Sequence, residues 1–173
     1  MTMPSRYPVP QNADDPGCDC LLITEDERIV RRALQILEPG GYRVTVMHEG
    51  RRALEALEDH WYPVCLVDQD LIDISGFEVV GQGKESAPET EFIMLFEYPD
   101  MSRAILSLTY GAYGYLEKPC DDPGALLTKI ILAREKVVLN RELKRLRRRA
   151  IGPSDTPDHS NSPLDDIERG SNP

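Results

Sequence analysis

The chain has 173 residues, of which 40% are hydrophobic and 29% are charged, and its formal net charge is −10. This length suits one folded domain with flanking segments and excludes a second enzyme-sized domain. No apolar run approaches the roughly 18 residues that cross a bilayer, and the N-terminal segment lacks the apolar stretch of a signal peptide, so we expect a cytoplasmic protein with no membrane contact.

The acidic balance argues against nucleic acid as a partner of the whole chain. The charge is unevenly distributed, however, because residues 134–149 contain eight basic side chains and two acidic ones, a local net charge of +6. On a helix such a run is typical of a solvated face, and contact with nucleic acid or an acidic partner is the alternative. The four cysteines are too few for a disulfide framework and do not form a zinc motif, so we expect reduced thiols.

Strand-like and helical segments alternate between two polar ends. Residues 1–17 and 151–173 are rich in Pro, Ser, Asn, Asp and Gly, and we expect both to be disordered tails. Between them the sequence predicts strands at 20–24, 42–47, 64–67, 91–96 and 112–116, and helices at 27–38, 51–60, 77–85, 100–110 and 123–150. The third helix is weak, because Gly81 and Gly83 each cost about 1 kcal/mol relative to alanine.

This alternation predicts an α/β fold with a doubly wound parallel sheet of five strands. We expect the flavodoxin-like strand order, 2-1-3-4-5. The domain spans residues 18–136, and the last helix continues through residues 137–150. Leucines spaced seven, four and three residues apart make that continuation a possible coiled coil or linker, and a solvated amphipathic tail is the alternative.

Acidic residues follow two strands that are neighbours in this order. Glu25 and Asp26 come directly after the first strand, and Asp68 and Asp70 come at the end of the third. We expect the two clusters to converge at the carboxyl edge of the sheet, with Lys118 brought there by the fifth strand. Converging carboxylates repel and favour a hard cation, and Mg²⁺ suits oxygen ligands of this kind. Ordinary solvated loop acids are the alternative.

Three segments resemble the receiver domain of bacterial two-component response regulators: LLITEDE, CLVDQDLIDISG and GAYGYLEKPC. The resemblance covers about residues 18–136. It implies that Asp68 accepts phosphate from a sensor histidine kinase or phosphotransfer protein and that Lys118 pairs with the phosphoryl group. It also implies a magnesium site formed by Asp26, Asp68 and the backbone carbonyl of Asp70, with Glu25 in the outer shell.

The chain departs from this pattern where the family normally has a switch hydroxyl. Phe96 stands at the position of the usual Ser or Thr, and Glu97 replaces a small neighbour. In the family the hydroxyl binds the phosphoryl group while the aromatic residue at the position of Tyr115 rotates inward. Phe96 cannot make that bond, so we expect an atypical receiver in which Tyr115 stays packed or directed outward.

Two functions follow as hypotheses. The first is a phospho-accepting receiver that controls an effector and is not an enzyme acting on an external substrate. The second is a pseudo-receiver, a phosphorylation-independent dimerisation or docking module. We expect a homodimer, formed through the fourth helix, fifth strand and fifth helix or through residues 137–150, and an output domain or a downstream protein is possible. Asp68→Asn is expected to relieve repulsion and stabilise the metal-free protein.

Overall fold

The computed structural model describes residues 19–150, so the two predicted tails, 1–17 and 151–173, lie outside the described residues. Five strands alternate with five helices, and a single 3-10 turn, Glu38–Gly40, follows the first helix. In chain order the elements are β1 (Asp19–Ile23), α1 (Glu27–Leu37), β2 (Arg43–Met47), α2 (Gly50–Asp59), β3 (Val64–Asp68), α3 (Gly76–Ser86), β4 (Glu91–Phe96), α4 (Met101–Thr109), β5 (Gly114–Glu117) and α5 (Pro123–Ala150).

The strands form one parallel sheet in the order β2-β1-β3-β4-β5, as predicted from the sequence. Because β1 and β3 are neighbours, their carboxyl ends lie side by side at one edge of the sheet. The paired residues Ile23 and Val67 are the last before that edge. The turns after these two strands can therefore form a common site.

The sheet is covered on both faces, and successive strand residues point to opposite layers. Leu22 packs in the layer beneath α1 and α5, whereas Leu21 packs in the layer beneath α2 and α3. Each of β1, β3 and β4 is buried along its whole length, which explains why these strands are almost continuously apolar. Cys20, Cys65 and Cys120 are free and buried.

Helix α3 forms over eleven residues although its glycines made it the weakest sequence prediction. Ser75 and Glu78 cap its first turn reciprocally, and this capping box compensates for part of the low helix propensity. A side chain at Gly83 would collide with the ring of Phe92, so close packing against β4 requires this glycine. Local propensity is outweighed here by tertiary packing.

Helix α5 extends beyond the domain core but keeps contact with it. Its first half buries Leu126, Ile130, Ala133 and Val137, and the helix then continues to Ala150. No helix within residues 19–150 is long and apolar enough to cross a membrane.

Basic side chains on the second half of α5 bind the loops at the amino end of the sheet. Arg141 and Lys144 pair with Glu89 at 2.6 and 3.0 Å, and the guanidinium carbon of Arg141 lies 3.3 Å from the ring centroid of Trp61. We call these four residues the Glu89 clamp. Residues 141–150 are all exposed, as expected of a solvated basic face, and the clamp also fixes this part of α5 against its own domain.

Candidate functional site

Asp68 is the last residue of β3, and its side chain is almost completely buried, with 3% of its surface exposed. Three donors from different parts of the chain bind its carboxylate. The Lys118 ammonium lies 2.6 Å from Oδ1, the Asp70 N–H donates to Oδ1 at 3.0 Å, and the Thr24 hydroxyl donates to Oδ2 at 2.7 Å. These contacts fix the plane of the carboxylate and offset the cost of burying its charge.

The position of Lys118 follows from the end of β5. Its backbone N–H donates to the carbonyl of Phe96 at 2.8 Å, which extends the β4–β5 pairing by one residue. The peptide bond to Pro119 is cis. Only 7% of the lysine side chain is exposed, and its ammonium is also 3.7 Å from a carboxylate oxygen of Asp70. Asp68 and Lys118 thus form a buried ion pair at the carboxyl edge of the sheet.

The loop between β3 and α3 packs directly against the backbone of Asp68. A side chain at Gly76, eight residues further along the chain, would overlap the Asp68 carbonyl oxygen. The Gly76 N–H instead donates to the Gln69 carbonyl at 3.0 Å. Glu25 supports the same loop, since its carboxylate accepts the Ile72 N–H at 2.8 Å. The carboxylate of Glu25 therefore binds the loop between β3 and α3 in this structure.

Asp26 caps α1 and pairs with Arg28. Its carboxylate accepts the Arg28 backbone N–H at 2.8 Å and binds the Arg28 guanidinium at 2.6 Å. These bonds, the guanidinium bond above all, lower the pKa of Asp26 to about 2. Asp26 in turn raises the pKa of Arg28, and the charge of Glu97 contributes in the same direction. Arg28 is thus a second cation at this edge of the sheet.

The two acidic clusters therefore lie at the same edge of the sheet, but their carboxylates do not converge on one point. The sheet brings Asp68 and Lys118 into contact, but the carboxylates of Asp26 and Glu25 bind other partners. Across residues 19–150, no group of three His, Cys, Asp or Glu side chains is close enough to hold a metal ion. The donors suit Mg²⁺ chemically, because they are carboxylate and carbonyl oxygens. For Asp26 to bind the ion, its carboxylate would have to release Arg28.

Phe96 and Tyr115 lie side by side at the ends of β4 and β5. Phe96 is fully buried, and its ring centroid is 6.0 Å from that of Phe77 and 5.8 Å from that of Tyr115. Tyr115 is 38% exposed, so its ring is directed outward beside Phe96. Glu97 is exposed. An apolar ring therefore lies at the end of β4, at the position where the family normally has a hydroxyl.

Two residues of the site were missed by the sequence analysis. Thr24 lies at the end of the predicted strand 20–24 and Arg28 within the predicted helix 27–38, and the sequence analysis assigned neither of them a role at the site. A signal existed for each: Thr24 directly precedes the acidic pair, and Arg28 is two residues beyond Asp26 in the first helical turn. Side-chain direction at a strand end or helix start decided both contacts, and residue spacing alone does not fix that direction.

The family model described as response regulator receiver domain matches residues 21–131. The chain belongs to this family. An uncharacterized transcriptional regulatory protein of Bacillus subtilis (strain 168), YkoG, is 35% identical over 100 residues, which are 57% of this chain and 44% of that protein. The chain spans about half the length of the curated relatives it matches.

Solved receiver domains share this fold. The CheY-like receiver domain protein from Methanospirillum hungatei JF-1 is 28% identical with a TM-score of 0.65, and the match covers 70% of this chain and 97% of that one. The beryllofluoride-activated NtrC4 receiver domain dimer is 26% identical with a TM-score of 0.65, covering 69% of this chain and 98% of that one. The resemblance stated from the sequence is therefore confirmed, and the chain is a receiver domain of two-component response regulators.

Proposed function

We propose that this receiver domain accepts a phosphoryl group on Asp68, with Mg²⁺ bound by Asp26, Asp68 and the backbone carbonyl of Asp70. One observation carries the proposal: a buried carboxylate at the end of β3 has an ammonium group, that of Lys118, 2.6 Å from one of its oxygens. A desolvated, oriented carboxylate is a suitable nucleophile, and the adjacent cation suits the charge of a phosphoryl group.

In the proposed reaction, Oδ1 of Asp68 attacks the phosphorus atom of the donor. A P–O bond to Asp68 forms while the bond from phosphorus to the donor's leaving atom breaks, and that atom keeps the electron pair. Lys118 then pairs with the phosphoryl oxygens in place of Oδ1. When bound, Mg²⁺ would supply further positive charge to the same oxygens. Arg28 competes with the ion for Asp26, as its bonds to that carboxylate indicate.

The donor in this proposal is a sensor histidine kinase or a phosphotransfer protein, in keeping with membership of the receiver family. The longer relatives are named as regulators, which supports an effector role through an output domain or a downstream protein. The comparisons give no support to the alternative of a phosphorylation-independent docking module. A cytoplasmic setting stays a prediction.

Intact-protein mass measurement tests the proposal. The full chain is incubated with acetyl phosphate and Mg²⁺, and we expect a mass increase of one phosphoryl group that disappears in Asp68→Asn. Asp70→Asn is the matched control, because the proposal uses only its backbone carbonyl, and it should still take up phosphate. Absence of a phosphorylated species in the unsubstituted chain, or its persistence in Asp68→Asn, would refute the assignment.

We further propose that a second copy of the chain covers an apolar stripe on α5. The stripe lies on the side of the helix opposite the Glu89 clamp, and each of its leucines is about half exposed: Leu132 (48%), Leu139 (64%), Leu143 (52%) and Leu146 (51%). Their spacing of seven, four and three residues is that of a coiled-coil seam. The NtrC4 receiver domain, similar in fold, is described as a dimer.

Sedimentation velocity at tens of micromolar tests this dimer. Leu143→Glu combined with Leu146→Glu should convert it to monomer, because the charges would face each other across the seam. Ile105→Glu with Leu108→Glu is the matched control on the exposed side of α4. If the control pair dissociates the dimer and the α5 pair does not, the interface is the other predicted one, formed by α4, β5 and α5. A monomeric parent chain contradicts both.

A further inference from the structure

Thr24, the residue after β1, is completely buried, and its hydroxyl has a fixed direction. Its oxygen accepts the Asp26 N–H at 3.1 Å, and its proton is donated to Oδ2 of Asp68 at 2.7 Å. The direction is unambiguous, because an ionised carboxylate can only accept and a backbone N–H can only donate. Thr24 thus gives the Asp68 carboxylate a buried hydrogen bond.

The strength of this hydrogen bond depends on the chemical state of Asp68. Lys118 lies beside Oδ1, so phosphorylation of that oxygen leaves Oδ2 as the carbonyl oxygen of an acyl phosphate. A hydrogen bond to an ionised acceptor is roughly twice as strong as one to a neutral acceptor. The Thr24 hydroxyl therefore stabilises the free carboxylate more than the phosphorylated form.

We infer that Thr24 is a positioning residue that makes Asp68 a better leaving group and so shortens the lifetime of phosphorylated Asp68. This inference rests on the proposed function. In hydrolysis, the oxygen of a water molecule attacks phosphorus and the bond between phosphorus and Oδ1 breaks. The electron pair returns to the carboxylate, and the Thr24 hydroxyl donates to Oδ2 of the restored anion. The attacking oxygen keeps one of its protons, and the other passes to a second oxygen of the released phosphate.

The test follows decay of the phosphorylated full chain by intact-protein mass after acetyl phosphate is removed in the presence of Mg²⁺. Thr24→Val keeps the shape of the side chain but lacks the hydroxyl, so we expect a half-life about three- to tenfold longer. Thr24→Ser retains a hydroxyl and should decay at nearly the parental rate. Thr24→Ala, a second variant without the hydroxyl, replaces Thr24→Val if the latter does not fold.

Thr90→Val is the matched control. Thr90 is equally buried, and its hydroxyl donates to the Tyr62 carbonyl at the same distance of 2.7 Å, but at the opposite end of the sheet. The half-life of phosphorylated Asp68 in Thr90→Val should equal that in the parent chain. A purely structural role for Thr24 would slow phosphorylation without lengthening the half-life.

Two outcomes separate this inference from the proposed function. If the parent takes up phosphate on Asp68 and the hydroxyl-free variant that folds decays as fast as the parent or faster, the inference on Thr24 is refuted and the proposed function stands. If the parent takes up no phosphate, the proposed function and the inference fail together. Slow decay in Thr90→Val as well would also refute the inference, since the effect would then reflect general loosening.

Discussion

Asp68→Asn is expected to destabilise the metal-free protein by about 2–3 kcal/mol, because it removes one partner of a buried ion pair. The sequence alone suggested the opposite sign, since neighbouring acids would repel Asp68. The structure changes this expectation through two contacts. Asp68 is bound by the Lys118 ammonium at 2.6 Å, and Asp26 is paired with Arg28.

The magnitude follows from the exposure of the two partners. Lys118 is 7% exposed, and in Asp68→Asn its nearest carboxylate oxygen would be that of Asp70 at 3.7 Å, on a side chain that is 69% exposed. Breaking a buried pair costs about 3–5 kcal/mol when the remaining charge has no other partner. Asp70 and the amide oxygen of the new asparagine compensate for part of this cost. We therefore expect a loss of about 2–3 kcal/mol rather than 3–5 kcal/mol.

Urea denaturation of the full chain in EDTA, followed by circular dichroism, measures the effect. A double-mutant cycle with Lys118→Met isolates the pair: the double variant should recover most of the stability lost in Asp68→Asn, because no uncompensated charge remains. A finding that Asp68→Asn is as stable as the parent or more stable, at both low and high salt, would refute the reasoning. Repulsion among the acids would then outweigh the pair with Lys118.

Three further predictions concern other contacts of the structure. Arg28→Gln should tighten Mg²⁺ binding about two- to fivefold by calorimetry, because it frees the carboxylate that the ion requires; unchanged or weaker binding contradicts this. Arg141→Ala should alter the emission of Trp61, which the guanidinium covers, and lower stability by about 1 kcal/mol, whereas alanine at an exposed arginine further along α5 should do neither. Phe96→Thr with Glu97→Ala should enlarge the change in dimer fraction caused by beryllofluoride, and an equally large response in the parent chain would show that the missing hydroxyl is unimportant.

The periodicity of apolar residues was sufficient to predict the fold, because the buried face of each helix and strand leaves its pattern in the sequence. Strand β4 has the predicted limits, Glu91–Phe96, and all six of its residues are buried, Glu91 included. Strand β5 was predicted to begin two residues too early, and it ends one residue later than predicted, at Glu117. Ala112 is buried although it lies in the loop before β5, and a buried apolar residue gives the same sequence signal in a loop as in a strand.

For the site, the sequence predicted that Asp68 and Lys118 meet, but it did not predict the partner of each carboxylate. The order of the strands brings Asp68 and Lys118 together, and that order is the flavodoxin-like one expected for this alternation of strands and helices. The partner of Asp26 was not predictable, because its carboxylate can turn either toward the sheet edge or back onto the first turn of α1. Capping of that turn and the bond to Arg28 favour the second direction.

We expect the chain to fold without a metal ion, because cations of the chain itself pair with the carboxylates at the sheet edge. Lys118 neutralises Asp68 and Arg28 neutralises Asp26, so the two carboxylates proposed as ligands each have a cation already. The pKa of Asp26 is lowered to about 2 by its bonds to Arg28, so this contribution to stability is complete above its usual pKa near 4 and is lost only as the pH falls toward 2. If Mg²⁺ binds as proposed, it would therefore exchange one cation for another at Asp26 at neutral pH. Because Arg28 is largely exposed, the pair it forms is weak, and this exchange costs little.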